Sequence, residues 1–251
     1  MISLVKLLEE ISTKPKAIFL AGPAGSGKSY MNRLLIPKEF KTINSDDTYE
    51  ELLKASGIGL KQKDFTPDQL SQAAKLQAQA RKDTQARLEK SIEDRNNIVI
   101  DGTGAAPNPV LKKKQQLEEL GYECLMLMIY VSPLVSLERN KNRDRSLMPS
   151  IVLRTWRDVN KNVEIYREAF GDRFILINNN PEDARKEFNI ELLKPYLQDS
   201  KAKGKPKTPE QQAKSKQQFE ELISDIESMV GNLPKFDIIE TAKSKIKSFT
   251  S

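Results

Sequence analysis

Gly22-Pro23-Ala24-Gly25-Ser26-Gly27-Lys28-Ser29 fills the pattern G-x-x-x-x-G-K-[ST] at every position. Glycines at these points let the backbone curl so that its N–H groups face inward on phosphate oxygens. A helix opening at Lys28 adds the positive end of its dipole to the same anion. The Lys28 ammonium is placed to bridge the β- and γ-phosphates, and the Ser29 hydroxyl to ligate Mg²⁺. Gly22 through Ser29, with Tyr30 beside them, are therefore expected to hold a nucleoside triphosphate, ATP with Mg²⁺.

Three other clusters carry groups suited to chemistry on that phosphate. Ile43-Asn44-Ser45-Asp46-Asp47 ends an apolar run in two carboxylates. One of them can take the proton of an attacking hydroxyl and orient it in line with the γ-phosphate, and the other can cap the helix that follows. Asp46 is read as the base and Asp47 as its capping neighbour. Ile98-Val99-Ile100-Asp101 ends in a single carboxylate, Asp101, expected to help Ser29 hold Mg²⁺. Arg139, Arg143 and Arg145 precede Pro149. Arginine offers a planar fork of donors with a permanent charge, suited to the charge that develops on a transferred phosphoryl group. Residues 139–149 are expected to form a lid that closes on the nucleotide, Arg139 binding it and Arg143 and Arg145 acting in transfer.

What is missing narrows the reaction. The chain has no histidine, so the base is a carboxylate or a lysine, and Ser-His-Asp or Cys-His chemistry is excluded. The only cysteine is Cys124, which excludes an internal disulfide and a multi-cysteine metal site. Asn140-Lys141-Asn142-Arg143 has arginine where a guanine-reading element carries an acid, and Gly102 follows Asp101 where a hydrolysing motor carries a water-polarising glutamate. Both departures favour transfer to an acceptor other than water.

The elements that position these groups are legible from hydropathy. Short apolar runs at Ala17–Ala21, Thr42–Asn44, Ile98–Ile100, Leu125–Val131 and Phe174–Asn178 alternate with helical patterns, which predicts an α/β three-layer fold around a five-stranded parallel sheet. Helices are expected over 2–11, from Lys28, over 48–55, from Pro67 to Glu93, from Pro109 to Gly121, over 133–140, from Pro149 to Phe170 and over 182–197. The stripe Val152, Trp156, Val159, Val163 reads as core. Residues 200–207 have linker composition, which divides the chain into a kinase-type body (1–198), a basic linker (199–208) and a helical extension (209–251). The net charge is +6 and sits mostly in this stretch, where Lys201 to Phe219 carry six lysines against Glu210. Such a run is either a solvated linker or a contact for a polyanion. Phe219, Leu222, Ile223, Ile226 and Met229 form a stripe that requires a covering surface, either the body or a partner protein. The longest apolar run, Cys124 to Val131, is too short for a bilayer span. With the lone cysteine and no leader pattern, this predicts a cytoplasmic protein.

The loop GPAGSGKS, the NSDD after the second strand, the DGTG after the third and the ERNKNRDR segment together resemble the P-loop kinases related to polynucleotide kinase and zeta toxin, over about Lys16 to Asn180. The resemblance implies an Asn-x-Asp-Asp element whose base is Asp46. It leaves three acceptors open: a nucleic acid, a nucleotide sugar as for zeta-type toxins, or a modified base in DNA. A reading from another class, an ATP-binding interaction protein that docks a partner through its C-terminal helix, also stays open at this point.

Overall fold

The computed structural model describes residues 14–60, 65–144, 146–181, 193 and 209–251. The helices expected over 2–11 and 182–197 (Leu193 apart), the basic run 201–207 and Arg145 lie outside the described residues.

Five parallel strands make one sheet in the order β2-β3-β1-β4-β5: β1 (Lys16–Ala21), β2 (Lys41–Ile43), β3 (Ile98–Asp101), β4 (Glu123–Tyr130) and β5 (Phe174–Asn178). Parallel strands covered on both faces need apolar side chains at nearly every position. Cys124 to Val131 is buried throughout. The register explains how its residues divide between the faces. Ala17, Phe19, Cys124, Met126, Phe174 and Leu176 enter one core cluster, and their sequence neighbours Ile18, Leu20, Leu125, Leu127, Ile175 and Ile177 enter another.

The first face is covered by α3 (Pro67–Glu93), α4 (Pro107–Glu119), α6 (Pro149–Lys161), α7 (Val163–Phe170) and α8 (Pro209–Gly231), through Leu88, Leu117, Trp156, Tyr166 and Ile226 among others. The second is covered by α1 (Lys28–Leu35) and α9 (Ile239–Thr250), through Met31, Ala242 and Ile246. The result is the expected three-layer α/β fold. Two shorter helices, α2 (Ser45–Ala55) and α5 (Pro133–Lys141), stand at the carboxyl ends of β2 and β4, where an open parallel sheet binds its ligands.

Several local expectations shift. The segment 149–170 is two helices, because Asn162 between them turns its side-chain amide to the Gly104 and Ala105 carbonyls at 3.1 and 3.0 Å. The stripe Val152, Trp156, Val159, Val163 is core as expected, and the Trp156 indole donates to the Val131 carbonyl at 2.7 Å. The stripe on α8 is covered by the body: Leu222 and Ile226 are buried in the first core cluster, with Ile223 and Met229 packed against it. Those four positions of the stripe are covered by the body, while Phe219 is half-buried outside that cluster. Among the described residues no helix is long and apolar enough to cross a membrane.

Candidate functional site

The turn between β1 and α1 is built around backbone that only glycine tolerates. Gly25 has φ +74°, and a Cβ there would lie 2.7 Å from the Ser136 carbonyl oxygen. Gly22 has φ +151°, and its Cβ would meet Ser26 Oγ at 2.6 Å and the Ile129 carbonyl at 2.7 Å. The loop is therefore pressed against the start of α5 and the end of β4, with no room for side chains on its inner turns. Its carbonyls are tied outward. Ser136 donates to Ala24 O, the Arg139 guanidinium to Gly25 O at 3.3 Å, and the Asn179 amide to Ser26 O at 2.8 Å.

The helix that follows begins without the usual satisfaction of its first N–H groups. Gly27 at its N-cap has no side chain to accept from them, and the first turn holds no acid. Such an end leaves donors and positive potential for an external anion. The Lys28 ammonium folds back to donate to Gly22 O at 2.8 Å and Pro23 O at 3.4 Å. A flexible ammonium resting on loop carbonyls can exchange them for phosphate oxygens. The residues present thus fit a bound triphosphate.

These groups open on a cleft of about 610 Å³ lined by Ala24 to Tyr30 and, across from them, by Asn44, Asp46, Asp47, Asp101, Arg139 and Arg143. Gly22 and Pro23 lie behind the lining and act through the loop's shape. The electrostatics follow the geometry. Burial pushes the Lys28 ammonium below its ordinary range, Asp101 pulls it back up, Arg143 lowers it and Asp46 raises it. Burial pushes the Asp101 carboxyl up to about 6, with Lys28 and Arg143 opposing and Asp47 and Asp46 reinforcing that rise. Asp101, Arg143 and Asp46 thus all act on Lys28, and Asp101 in turn feels Lys28, Asp47, Asp46 and Arg143.

Asn44 ties two of these groups together. Its amide Nδ2 donates to Asp101 Oδ2 at 3.0 Å, and its Oδ1 accepts from the Asp46 backbone N–H at 2.8 Å. The second bond makes Asn44 the N-cap of α2. The capping role expected of Asp47 is thus filled by Asn44, and α2 starts at Ser45 rather than Thr48. Asp46 and Asp47 both stand in the first turn and both line the cleft. Asp46 bears on both Lys28 and Asp101, and Asp47 on Asp101.

Arg139 is the main displacement from the expected lid. It belongs to the last turn of α5, where its guanidinium bridges Gly25 O and Asn179 O at 3.3 and 3.2 Å. It braces the phosphate loop against the end of β5 while lining the cleft. The following loop is closed at its neck by Asn140, which donates to Leu147 O at 2.9 Å and accepts from Leu147 N at 3.0 Å. Arg143, exposed within this loop, is the described lid arginine that faces the cleft. Arg157, on α6, instead pairs with Asp158 at 2.7 Å and Asp225 at 3.6 Å.

Residues that sequence spacing did not single out also belong to the site. Asn179, directly after β5, holds the loop at Ser26 O; its signal was only the run Asn178-Asn179-Asn180 at a strand end. Tyr49, Glu50, Gln77, Arg81, Thr103 and Thr155 line the cleft beyond the phosphate loop. Among the described residues no three carboxylates or cysteines converge to hold a metal alone. Mg²⁺ at Ser29 and Asp101 would complete its shell from phosphate oxygens and water, as Mg²⁺ commonly does.

The sequence model of the Zeta toxin family matches residues 5–170. No curated protein matches the chain. Among solved structures, the AvrRxo1-ORF1:AvrRxo1-ORF2 complex with sulphate ions is similar at a TM-score of 0.51 and 15% identity, covering 100% of this chain and 84% of that one. The AvrRxo1-ORF1:-ORF2 complex with ATP is similar at 0.50 and 16% identity, with the same coverage of 100% and 84%. A chain of the PezAT toxin–antitoxin system of Streptococcus pneumoniae is similar at 0.45 and 17% identity, covering 90% of this chain and 95% of that one. At such identities the two AvrRxo1 complexes speak for the fold alone.

Proposed function

The chain belongs to the zeta toxin family, and on that premise we propose that it is an ATP-dependent kinase that moves the γ-phosphate to a hydroxyl of a nucleic-acid or nucleotide-like acceptor. The observation that carries this reading is one cleft holding the phosphate loop, Lys28, Arg143 and two carboxylate positions, Asp101 and Asp46, with different surroundings. Different surroundings allow different roles. Asp101, half-buried and bonded to Asn44, is the carboxylate for Mg²⁺ together with the Ser29 hydroxyl. When bound there, the ion draws charge from the β- and γ-phosphate oxygens. Asp46, exposed on the first turn of α2 and close enough to act on Lys28, takes the acceptor's proton. Lys28 and Arg143 neutralise the charge that grows on the transferred phosphoryl group and the leaving oxygen.

The experiment is incubation with γ-labelled ATP and Mg²⁺ against a panel of DNA, RNA, nucleosides, nucleotides and nucleotide sugars, with the position of the label scored. One acceptor class is expected to be labelled by the wild type. Lys28→Ala should lose on the order of a hundred- to a thousandfold in turnover, the cost of removing one preorganised donor. Asp46→Asn should lower kcat far more than the affinity for ATP, since an amide keeps the shape but cannot accept the proton. If Asp47→Asn shows that pattern in its place, the neighbour is the base. If no acceptor in the panel is labelled and label appears only as inorganic phosphate, the kinase reading is wrong.

A further inference from the structure

A trans peptide points its C=O and its N–H to opposite sides. A side chain that holds one carbonyl therefore also aims the N–H of the next residue. Among the described residues no peptide bond is cis. Three successive carbonyls, those of Ala24, Gly25 and Ser26, are held from outside the phosphate loop by Ser136, Arg139 and Asn179. The N–H groups aimed in this way belong to Gly25, Ser26 and Gly27. The Ser26 N–H is spent inside the loop, on Pro23 O at 3.2 Å. The Gly27 N–H donates to nothing among the described residues. It stands at the N-cap of α1, next to the donors that a helix leaves unpaired in its first turn.

The Ser26–Gly27 peptide is free to turn over as far as its own backbone is concerned. Gly27 sits at φ +89°, and turning the peptide over carries that angle to the negative side, which glycine adopts about as readily. The turned peptide would aim the Ser26 carbonyl, an acceptor, at a bound anion. Asn179 stands against this. Its amide Nδ2 donates to Ser26 O at 2.8 Å and lies so close over Gly27 that a Cβ there would run into it. The Asn179 backbone is itself fixed on both sides. Its N–H donates to Tyr130 O at 2.8 Å, one residue beyond β5, and its carbonyl accepts from the Arg139 guanidinium at 3.2 Å. Resting on the reading of this loop as a nucleotide site, we infer that Asn179 is a positioning residue for the nucleotide. It acts through the Ser26 carbonyl, holding the Ser26–Gly27 peptide in the orientation that turns the Gly27 N–H to the phosphate chain.

The test reads affinity and peptide orientation separately. Binding of a non-hydrolysable ATP analogue with Mg²⁺ is measured by calorimetry on the full chain. Asn179→Ala should weaken it by about tenfold to a hundredfold, the range for losing one hydrogen bond to a charged group. The amide NMR signal of Gly27 in the free protein should be single and sharp in the wild type. In Asn179→Ala it should broaden or double, because the peptide then samples both orientations. Asn180→Ala controls for general loosening of the same segment. It removes the Oδ1 that accepts from the Ser132 N–H at 2.7 Å, a bond that does not touch the phosphate loop, and it should keep the affinity and the Gly27 signal of the wild type. Asn179 is half-buried, so its variants should fold, which thermal unfolding checks; Asn179→Ser, one bond shorter, repeats the measurement if the alanine variant does not. Unchanged affinity on losing the Asn179 amide, an equal loss in Asn180→Ala, or a Gly27 signal that stays as in the wild type overturns the inference. A wild type that does not bind the analogue overturns the inference and the nucleotide reading together. A wild type that binds the analogue and labels no acceptor removes the kinase reading alone, and the affinity and the Gly27 signal still decide the role of Asn179.

Discussion

Asp101 shows how a single carboxylate sets function against stability. Burial raises its carboxyl from an ordinary 3.8 to about 6, and the neighbouring Asp47 and Asp46 add to the rise that Lys28 resists. Between those two values the folded chain holds a proton that the unfolded chain has released, so stability falls as pH rises through that window. Above it the buried charge costs on the order of 2–3 kcal/mol. Asp101→Asn removes the charge and keeps an oxygen for the Asn44 amide. Its unfolding midpoint should exceed that of the wild type at pH 8, the difference should shrink to nothing near pH 4, and Mg²⁺-dependent transfer should be lost. Thermal melts across that range, alongside the labelled-ATP assay, check both halves. A variant that melts below the wild type at pH 8 would mean that the pairing with Lys28 outweighs the burial. The type and spacing of Lys28, Ser29, Asp46 and Asp101 are visible in the sequence because each follows a strand or a glycine pattern. Arg81 and Gln77 are not, since they come to the cleft only through the packing of α3 on α2, more than thirty residues along the chain from Asp46.

At the scale of elements, the strands were legible because buried parallel strands are nearly continuous apolar runs, and β4 is the clearest of them. Boundaries were less so wherever a side chain competes with the backbone. Asn44 moves the start of α2 forward by capping it, and Asn162 divides 149–170 by bonding across to the Gly104 and Ala105 carbonyls. Arg139 falls both in the helix expected over 133–140 and in the expected lid; α5 runs to Lys141 and delivers it to the phosphate loop. The phosphate loop itself is an element whose shape depends on what surrounds it. Gly25→Ala places a methyl against the Ser136 carbonyl, a backbone atom that cannot swing aside, at a left-handed φ that alanine resists. The expected cost is on the order of 1–3 kcal/mol in stability, with loss of nucleotide binding because the loop must unbend to accept it. Denaturant unfolding together with titration of a fluorescent ATP analogue checks this. A variant with wild-type nucleotide affinity would show that the loop tolerates another path between Ala24 and Ser26.

For the molecule as a whole, the question is whether α8 and α9 ride on the body or complete it. They cover opposite faces of the sheet, and the chain between them passes the β5 edge. There the Asp237 N–H donates to Leu176 O at 2.7 Å, and the Leu176 N–H donates to the Asp237 carboxylate at 2.9 Å. An edge strand otherwise left with unpaired amides and carbonyls invites pairing with other chains. On one face Leu222 and Ile226 are buried among the residues of the first core cluster, and Asp225 accepts from Lys161 of α6 at 2.8 Å. On the other, Ala242 and Ile246 close the second cluster over Ile175 and Ile177. Ile226→Ala should therefore cost about 2–5 kcal/mol, the range for a large-to-small change in a packed core. Deleting residues 232–251 should lower the unfolding midpoint and bare the β5 edge, giving concentration-dependent association in sedimentation. Deleting 209–251 should do more, since it also uncovers the surface beside Trp156. The loss of nucleotide binding in these truncations should follow the loss of fold and not precede it, because every residue assigned to ATP lies before Pro209. A chain cut after residue 208 that keeps both the melting temperature and the affinity of the full protein would place α8 and α9 outside the folding unit, despite the side chains they bury.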